Sequence, residues 1–169
     1  MQSLSIVLLC IVAAVVYGIA HDQVTARICV EYFTIGHPPI FRTEDPTLLA
    51  IGWGVIATWW VGLLLGIPLA LVARAGQRPK RSVGSLVRPI ALLLLVMAAC
   101  ALTAGVVGWV LANNRIVCLI GPLVSNVPTD RHVPFIAVLW SHAASYLVGF
   151  VGGMVIMVQV WRSRKSLPS

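Results

Sequence analysis

Four long apolar stretches constrain the fold of this chain more than any other feature of its sequence. They cover roughly residues 3–20, 48–73, 89–112 and 134–161. An α-helix needs about 20 apolar residues to cross the hydrocarbon core of a bilayer, and the last three stretches exceed that length. Continuous apolar runs lack the alternation of a membrane β-barrel, the other structure that satisfies its backbone in lipid. The sequence therefore predicts an all-α, polytopic membrane protein, a single transmembrane domain of four helices.

The small number of charged residues fits the same class. Hydrophobic residues make up 59% of the 169-residue chain and charged residues only 10%, whereas soluble domains carry roughly 25% charged residues. The formal net charge of +7 is concentrated beside the apolar stretches, without the interleaved aromatic side chains of a single-strand nucleic-acid groove. We therefore expect the lipid bilayer as a partner and no nucleic acid.

The distribution of basic residues predicts an orientation. Segments 74–88 and 162–169 hold eight Lys and Arg residues, whereas segments 21–47 and 113–133 hold four. Basic residues near membrane helices favour the cytoplasmic side. Segment 74–88 is thus predicted to be a cytoplasmic loop, both termini to be cytoplasmic, and the other two segments to lie outside.

The first stretch is predicted to continue as a helix beyond the membrane on the outer side, to about residue 35. No Gly or Pro interrupts the chain between Ala20 and Gly36, where a Gly-His-Pro-Pro run ends the helix. A cleaved signal peptide is the alternative, since Gly18 and Ala20 have the small side chains of a cleavage site. No Lys or Arg precedes the stretch, however, as a signal peptide normally requires.

Small residues recur every four positions in the second and fourth stretches. Such a stripe lets a neighbouring backbone approach closely. The partner is either another helix of the chain or a second copy, which leaves a homo-oligomer or a larger membrane complex open. The predicted packing residues are Gly54, Thr58, Gly62, Gly66, Ser145, Gly149 and Gly153.

Polar residues of the outer side form the candidate functional site. His142 lies about eight residues beyond Pro134, or roughly 12 Å along a helix, which places an ionisable ring inside the bilayer. Such a residue is a functional-site hypothesis by default. The predicted polar site comprises His21, Asp22, Thr25, Glu31, His37, His132, His142 and Tyr146.

Three functions are compatible with this site. A structural or partner-binding helix bundle is favoured, because the chain has none of the H-E-x-x-H, G-x-S-x-G or Gly-Lys phosphate motifs that identify enzymes. The first alternative is a metal- or haem-binding redox protein with His21, His37 and His142 as ligands, since imidazole suits zinc, copper and iron. The second is a transporter of small solutes or ions that acts as an oligomer.

Two cysteines fall in the predicted outer segments. Cys29 and Cys118 would face an oxidising compartment, where a disulfide could join the two segments. No C-x-x-C pair occurs that would indicate a zinc ribbon or a thioredoxin-like site.

Three runs of the sequence resemble an uncharacterised family of small bacterial four-helix integral membrane proteins. They read YGIAHDQVTARICVEYFTIGHPP (17–39), PTLLAIGWGVIATWWVGLLLG (46–66) and RHVPFIAVLWSHAASYLVGFVGG (131–153). The resemblance covers most of the chain. It implies the four-helix fold, a bacterial origin and a location in the inner, cytoplasmic membrane, and it assigns no catalytic residue.

Overall fold

A computed structural model describes residues 1–164, and this part of the chain is helical without strands. Residues 165–169, the end of the predicted cytoplasmic tail, lie outside the described residues. The helices are α1 (Gln2–Ile28), α2 (Glu31–Thr34), α3 (Pro46–Ile56), α4 (Trp59–Arg74), α5 (Gly84–Asn113), α6 (Leu123–Asn126) and α7 (His132–Ser163), with a 3₁₀ turn at Thr129–Arg131.

Four helical segments are long and apolar enough to cross a membrane, which confirms the predicted number. They are Gln2–Ile28, Pro46–Arg74, Gly84–Asn113 and Thr129–Ser163. The last two are longer than the apolar stretches that predicted them, because flanking polar residues continue each helix. α1 packs mainly on α3 and α4, and α5 mainly on α7.

The first helix ends earlier than predicted. α1 stops at Ile28, and Cys29 has an extended backbone (φ −153°, ψ 94°) before the short helix α2 begins at Glu31. The predicted continuous helix to residue 35 is therefore corrected to two helices. The break allows Cys29 and Phe33 to become almost completely buried, at 0% and 1% exposure, which a straight helix projecting from the bundle would not permit. We call this end of the bundle the α2 end.

The second helix is interrupted at Ala57 and Thr58, between α3 and α4. The Thr58 hydroxyl donates a hydrogen bond to the Gly54 carbonyl, a side-chain bond that competes with the helical ladder and bends helices. α3 itself starts with Pro46 in its first turn, and the Asp45 carboxylate accepts a hydrogen bond from the Leu48 backbone N–H at 2.9 Å. This is a regular N-cap.

The small-residue stripe of the second stretch packs against α1 of the same chain. A Cβ atom added to Gly62 would lie 2.6 Å from the Ile11 Cα, and one added to Gly54 would lie 2.6 Å from the Ile19 Cα. Gly66 faces Cys10 in the same way, and Thr58 lies against Gly18. In the fourth stretch, Ser145 forms a hydrogen bond with Tyr17 of α1. Gly149 lies against Met97 of α5, and Gly153 lies against Leu65 of α4. These contacts account for the stripes within one chain.

Candidate functional site: a His–Asp–His cluster

Three of the predicted polar residues meet inside the bundle near its α2 end. His21 and Asp22 are consecutive on α1, and His142 projects from α7. One ligand atom from each of the three residues lies within 4.8 Å of the other two. Asp22 is 5% exposed and His142 8% exposed, so the cluster lies within the helix bundle and not in a solvated outer segment.

The two hydrogen bonds of the His142 ring determine the net charge of the Asp22–His142 pair. Its Nδ1 lies 2.9 Å from the Val138 carbonyl oxygen, which only accepts, so Nδ1 carries a hydrogen and donates it. Its Nε2 lies 3.1 Å from Asp22 Oδ1. That contact is a hydrogen bond only when one proton lies between the two atoms, on either the ring or the carboxyl group. The pair is therefore neutral overall, and a cation that displaced the shared proton would find one imidazole lone pair and one carboxylate.

His21 contributes an imidazole nitrogen with no protein partner. Among the described residues, its Nε2 is the one buried side-chain nitrogen or oxygen that forms no hydrogen bond. The ring centroid lies 4.5 Å from that of His142, nearly perpendicular to it, and 5.7 Å from that of Tyr17. A buried polar atom without a partner costs about 1–3 kcal/mol, so its position beside two potential ligands calls for an explanation.

Aromatic side chains cover the cluster at the α2 end. The Tyr32 ring lies 4.4 Å from the His142 ring, and the Phe33 ring lies 5.8 Å from it. His37 packs on Trp53, with ring centroids 4.5 Å apart. The break after α1 is what folds these residues back over the cluster, because it turns α2 onto the bundle.

His37 is near the cluster without belonging to it. Its Nδ1 donates to the Tyr32 carbonyl oxygen at 2.9 Å, and burial lowers the pKa of its ring below the ordinary value. Of the predicted ligands His21, His37 and His142, the structure thus brings His21 and His142 together, and the third residue of the group is Asp22 and not His37. The cluster is formed by His21 and Asp22, which are adjacent on α1, and by His142 on α7. A sequence pattern of two histidines one helical turn apart does not occur in such a cluster.

A small cavity adjoins the three residues. Its volume is about 90 Å³ and its lining includes Thr58, Tyr146 and Tyr32 beside the cluster. A water molecule takes up roughly 30 Å³ in the liquid, so the cavity has room for an ion and one or two small ligands.

Three other predicted site residues, Thr25, Glu31 and His132, form hydrogen bonds to backbone carbonyls or to Arg131. His132 Nε2 lies 3.0 Å from the Val127 carbonyl oxygen, where it holds the turn before α7. Thr25 donates to the His21 carbonyl oxygen at 3.2 Å. Arg131 donates to Glu31 at 2.9 Å. Burial raises the Glu31 pKa, but hydrogen bonds from its own backbone, Arg131 and Cys29 outweigh burial and leave the pKa below its ordinary value.

The structure does not contain the predicted disulfide between Cys29 and Cys118, and both cysteines are free thiols. Cys29 is fully buried in an apolar cluster that includes Leu119, while the neighbouring Cys118 is exposed. The chain thus directs Leu119, and not Cys118, towards Cys29. Burial raises the pKa of the Cys29 thiol to about 11, and its Sγ–H donates to Glu31 at 3.3 Å. Such a thiol is unreactive at neutral pH.

Two residues near the cavity were not predicted from the sequence. The Tyr17 hydroxyl and the Ser145 hydroxyl are hydrogen-bonded at 2.8 Å, and Trp53 lies against His37 at the α2 end. Tyr17 stands four residues before His21, so helical spacing places both on one face of α1. No comparable pattern identifies Trp53, whose aromatic neighbours His37 and Phe41 come from the loop between α2 and α3.

Comparisons with known protein families, with curated proteins and with solved structures found no match.

Proposed function

We propose that this chain is a multi-pass protein of a bacterial inner membrane that holds a divalent transition-metal ion through His21, Asp22 and His142. The distribution of basic residues supports cytoplasmic termini, with the cluster in the outer half of the bilayer. Four sufficiently long apolar helices support the membrane location.

The unpartnered Nε2 of His21 carries the metal proposal. It is buried, and it belongs to a residue whose ligand atom lies within 4.8 Å of those of Asp22 and His142. Bonds from imidazole nitrogen or carboxylate oxygen to zinc are about 2 Å long, so a central ion is compatible with that separation after small side-chain rotations. A bound ion would give the unpartnered nitrogen a ligand bond.

The surroundings of His142 fit a metal ligand. In metal sites a ligating histidine usually donates its second ring N–H to a backbone carbonyl or a carboxylate, which orients the ring. The Val138 carbonyl accepts that hydrogen bond here. Two imidazoles and one carboxylate are ligands for zinc or ferrous iron, and three protein ligands leave a position open for water or substrate.

A structural role is the second candidate, and the Asp22–His142 contact favours it. This bond joins α1 to α7 inside the bundle, so it could fix the helices without any metal. It leaves the buried His21 nitrogen unexplained, which is why we rank it second.

The haem and transport alternatives receive less support from the geometry. The cavity of about 90 Å³ beside the cluster is far below the 300 Å³ or more of typical cofactor pockets. A transporter needs a polar path through the bundle, whereas the core at the other end is an apolar cluster of residues such as Ile6, Leu69 and Ile156.

Elemental analysis of the detergent-purified protein tests the proposal. We expect about one equivalent of zinc or iron per chain, retained through size-exclusion chromatography and lost in a His142→Ala variant. A His132→Ala variant is the matched control, because His132 bonds the Val127 carbonyl away from the cluster. Equal metal contents in the wild type and both variants would contradict the proposal and favour the structural role.

A further inference from the structure

A second, larger cavity lies between α1, α5 and α7, on the side of His21 away from the aromatic cover. Its volume is about 560 Å³. Small residues line its walls, including Ala98, Ala101 and Gly105 on α5 and Ala137 on α7. Because α1 packs mainly on α3 and α4, and α5 mainly on α7, the seam between α1 and α5 is left open. We call this cavity the α1–α5 crevice.

The mouth of the crevice lies on the side of the bundle. Val24, Leu102 and Val106 line it and are 60%, 70% and 55% exposed. All three belong to helices long and apolar enough to cross a membrane. In the proposed membrane placement the mouth therefore faces the acyl chains of the bilayer, and only molecules dissolved in the bilayer reach it.

The inner part of the crevice offers polar groups without a formal charge. Its lining includes Tyr17, His21, Thr25 and Ser141, and no Asp, Glu, Lys or Arg of residues 1–164 lines it. A charged headgroup would therefore lose its hydration without gaining an ionic partner. A hydroxyl or carbonyl group could instead form hydrogen bonds with these side chains.

We propose that the α1–α5 crevice binds an uncharged, lipid-soluble amphiphile, with its apolar chain along α5 and its hydroxyl or carbonyl headgroup beside His21. His21 lines both this crevice and the small cavity of the cluster, so the headgroup lies next to one proposed metal ligand. The proposal rests on the proposed membrane location and does not require the metal.

Trp109 provides an optical probe of occupancy, because it lines the crevice and is partly exposed. The test uses detergent-solubilised protein and terminally brominated undecanol, whose bromine quenches tryptophan fluorescence on contact. We expect saturable quenching, and we expect a Trp109→Phe variant to lose its saturable component. The same bromoalkyl chain with a phosphocholine headgroup should give only weak, non-saturable quenching.

A matched pair of variants locates the binding site. Both Ala98 and Ala99 are exposed, but only Ala98 lines the crevice. Ala98→Leu therefore places three extra carbons in the crevice, and Ala99→Leu makes the same change outside it. Because the added carbons occupy volume that the apolar chain of the ligand would fill, Ala98→Leu should weaken binding of the bromoalcohol about tenfold or more. Ala99→Leu should leave the affinity unchanged.

Equal quenching of the wild type, Ala98→Leu and Trp109→Phe would overturn the proposal, because it would indicate general solvation by detergent and probe. Tighter binding of the phosphocholine probe than of the alcohol would also overturn it. The metal content of Ala98→Leu is measured in parallel. Crevice binding without metal would contradict the proposed metal function alone, and metal without crevice binding would contradict this inference alone.

Discussion

At the scale of single residues, the sequence indicated the burial of His142 but not that of Asp22. His142 was identifiable because it is an ionisable residue within an apolar stretch. Asp22 stands at the end of the first stretch, and its sequence position indicates a solvated carboxylate. It is instead 5% exposed and bonded to His142 of α7, and Phe33 and His37 line the same cavity. No local pattern of residues predicts this tertiary environment.

An Asp22→Asn substitution separates the metal role from the structural role. The amide N–H can donate to His142 Nε2 and so replace the present bond of 3.1 Å, but it removes the carboxylate ligand. We expect thermal stability in the metal-free state to stay within about 0.5 kcal/mol of the wild type.

Metal affinity of the same variant should fall by more than about 100-fold, since even partners outside the ligand shell contribute 10–100-fold. Competition with a chromogenic chelator measures the affinity. An Asp22→Asn protein that loses stability yet keeps its metal affinity would reverse the assignment of roles.

The Glu31–Arg131 pair makes stability depend on pH in the acidic range. The Glu31 pKa in the folded chain lies below its ordinary value of 4.5, so its stabilising effect is present above pH 4.5 and is lost as the pH falls through the folded pKa. The pair is partly exposed, so the effect is at most about 1 kcal/mol.

Thermal melts of the wild type and Glu31→Gln between neutral pH and pH 3 measure this contribution. The wild type should be the more stable protein at neutral pH, and the difference should shrink with acidification. A difference that grows as the pH falls would contradict the assigned role of Glu31.

At the scale of helices, the sequence predicted lengths and packing faces better than interruptions. The spacing of Gly54, Gly62 and Gly66 correctly indicated a face of close approach, and the structure identifies its partner as α1. The breaks after Ile28 and at Ala57–Thr58 were missed, because neither contains the Gly or Pro that usually marks one. They follow from burial of Cys29 and from the Thr58 hydroxyl bond, both of which depend on the assembled bundle.

Gly62→Ala tests the contact between α1 and α4. A Cβ at this position would lie 2.6 Å from the Ile11 Cα and 2.7 Å from the Cys10 carbonyl oxygen, so the helices must separate. We expect a loss of about 1–3 kcal/mol in thermal or denaturant unfolding in detergent.

Gly84→Ala is the control, because no atom of the described part of the chain lies within 4 Å of a Cβ added there. This variant should be neutral or slightly stabilised, since alanine restricts the unfolded chain. Equal stabilities of the two variants would contradict the described packing of α1 on α4.

At the scale of the whole molecule, the two ends of the bundle are closed in different ways. Aromatic residues of α2 cover the end that holds the cluster. The opposite end is closed by Arg164, which is 0% exposed and donates to the Val72 carbonyl oxygen of α4 and to carbonyl oxygens of the following loop. Carbonyls at a helix C-terminus carry partial negative charge, which suits a guanidinium. The sequence suggested only that Arg164 belonged to a basic cytoplasmic tail, because its burial depends on the α4–α5 loop.

An Arg164→Lys substitution should destabilise the bundle by about 2–4 kcal/mol. An ammonium group cannot reach all the carbonyl oxygens that the guanidinium binds. Each hydrogen bond to a charged group contributes about 1.5–3 kcal/mol. Arg162→Lys is the control at an exposed position, with an expected change within about 0.5 kcal/mol. Unfolding in detergent measures both. An unchanged Arg164→Lys protein would contradict the closure of this end by Arg164.

X-ray absorption spectroscopy at the metal edge of the purified protein would identify the metal ligands directly. We expect a first shell of nitrogen and oxygen at about 2.0–2.2 Å with the outer-shell scattering of two imidazoles, reduced to one imidazole in His21→Ala. A shell containing sulfur at about 2.3 Å, or a spectrum unchanged by His21→Ala, would contradict the assignment of His21, Asp22 and His142 as the metal ligands.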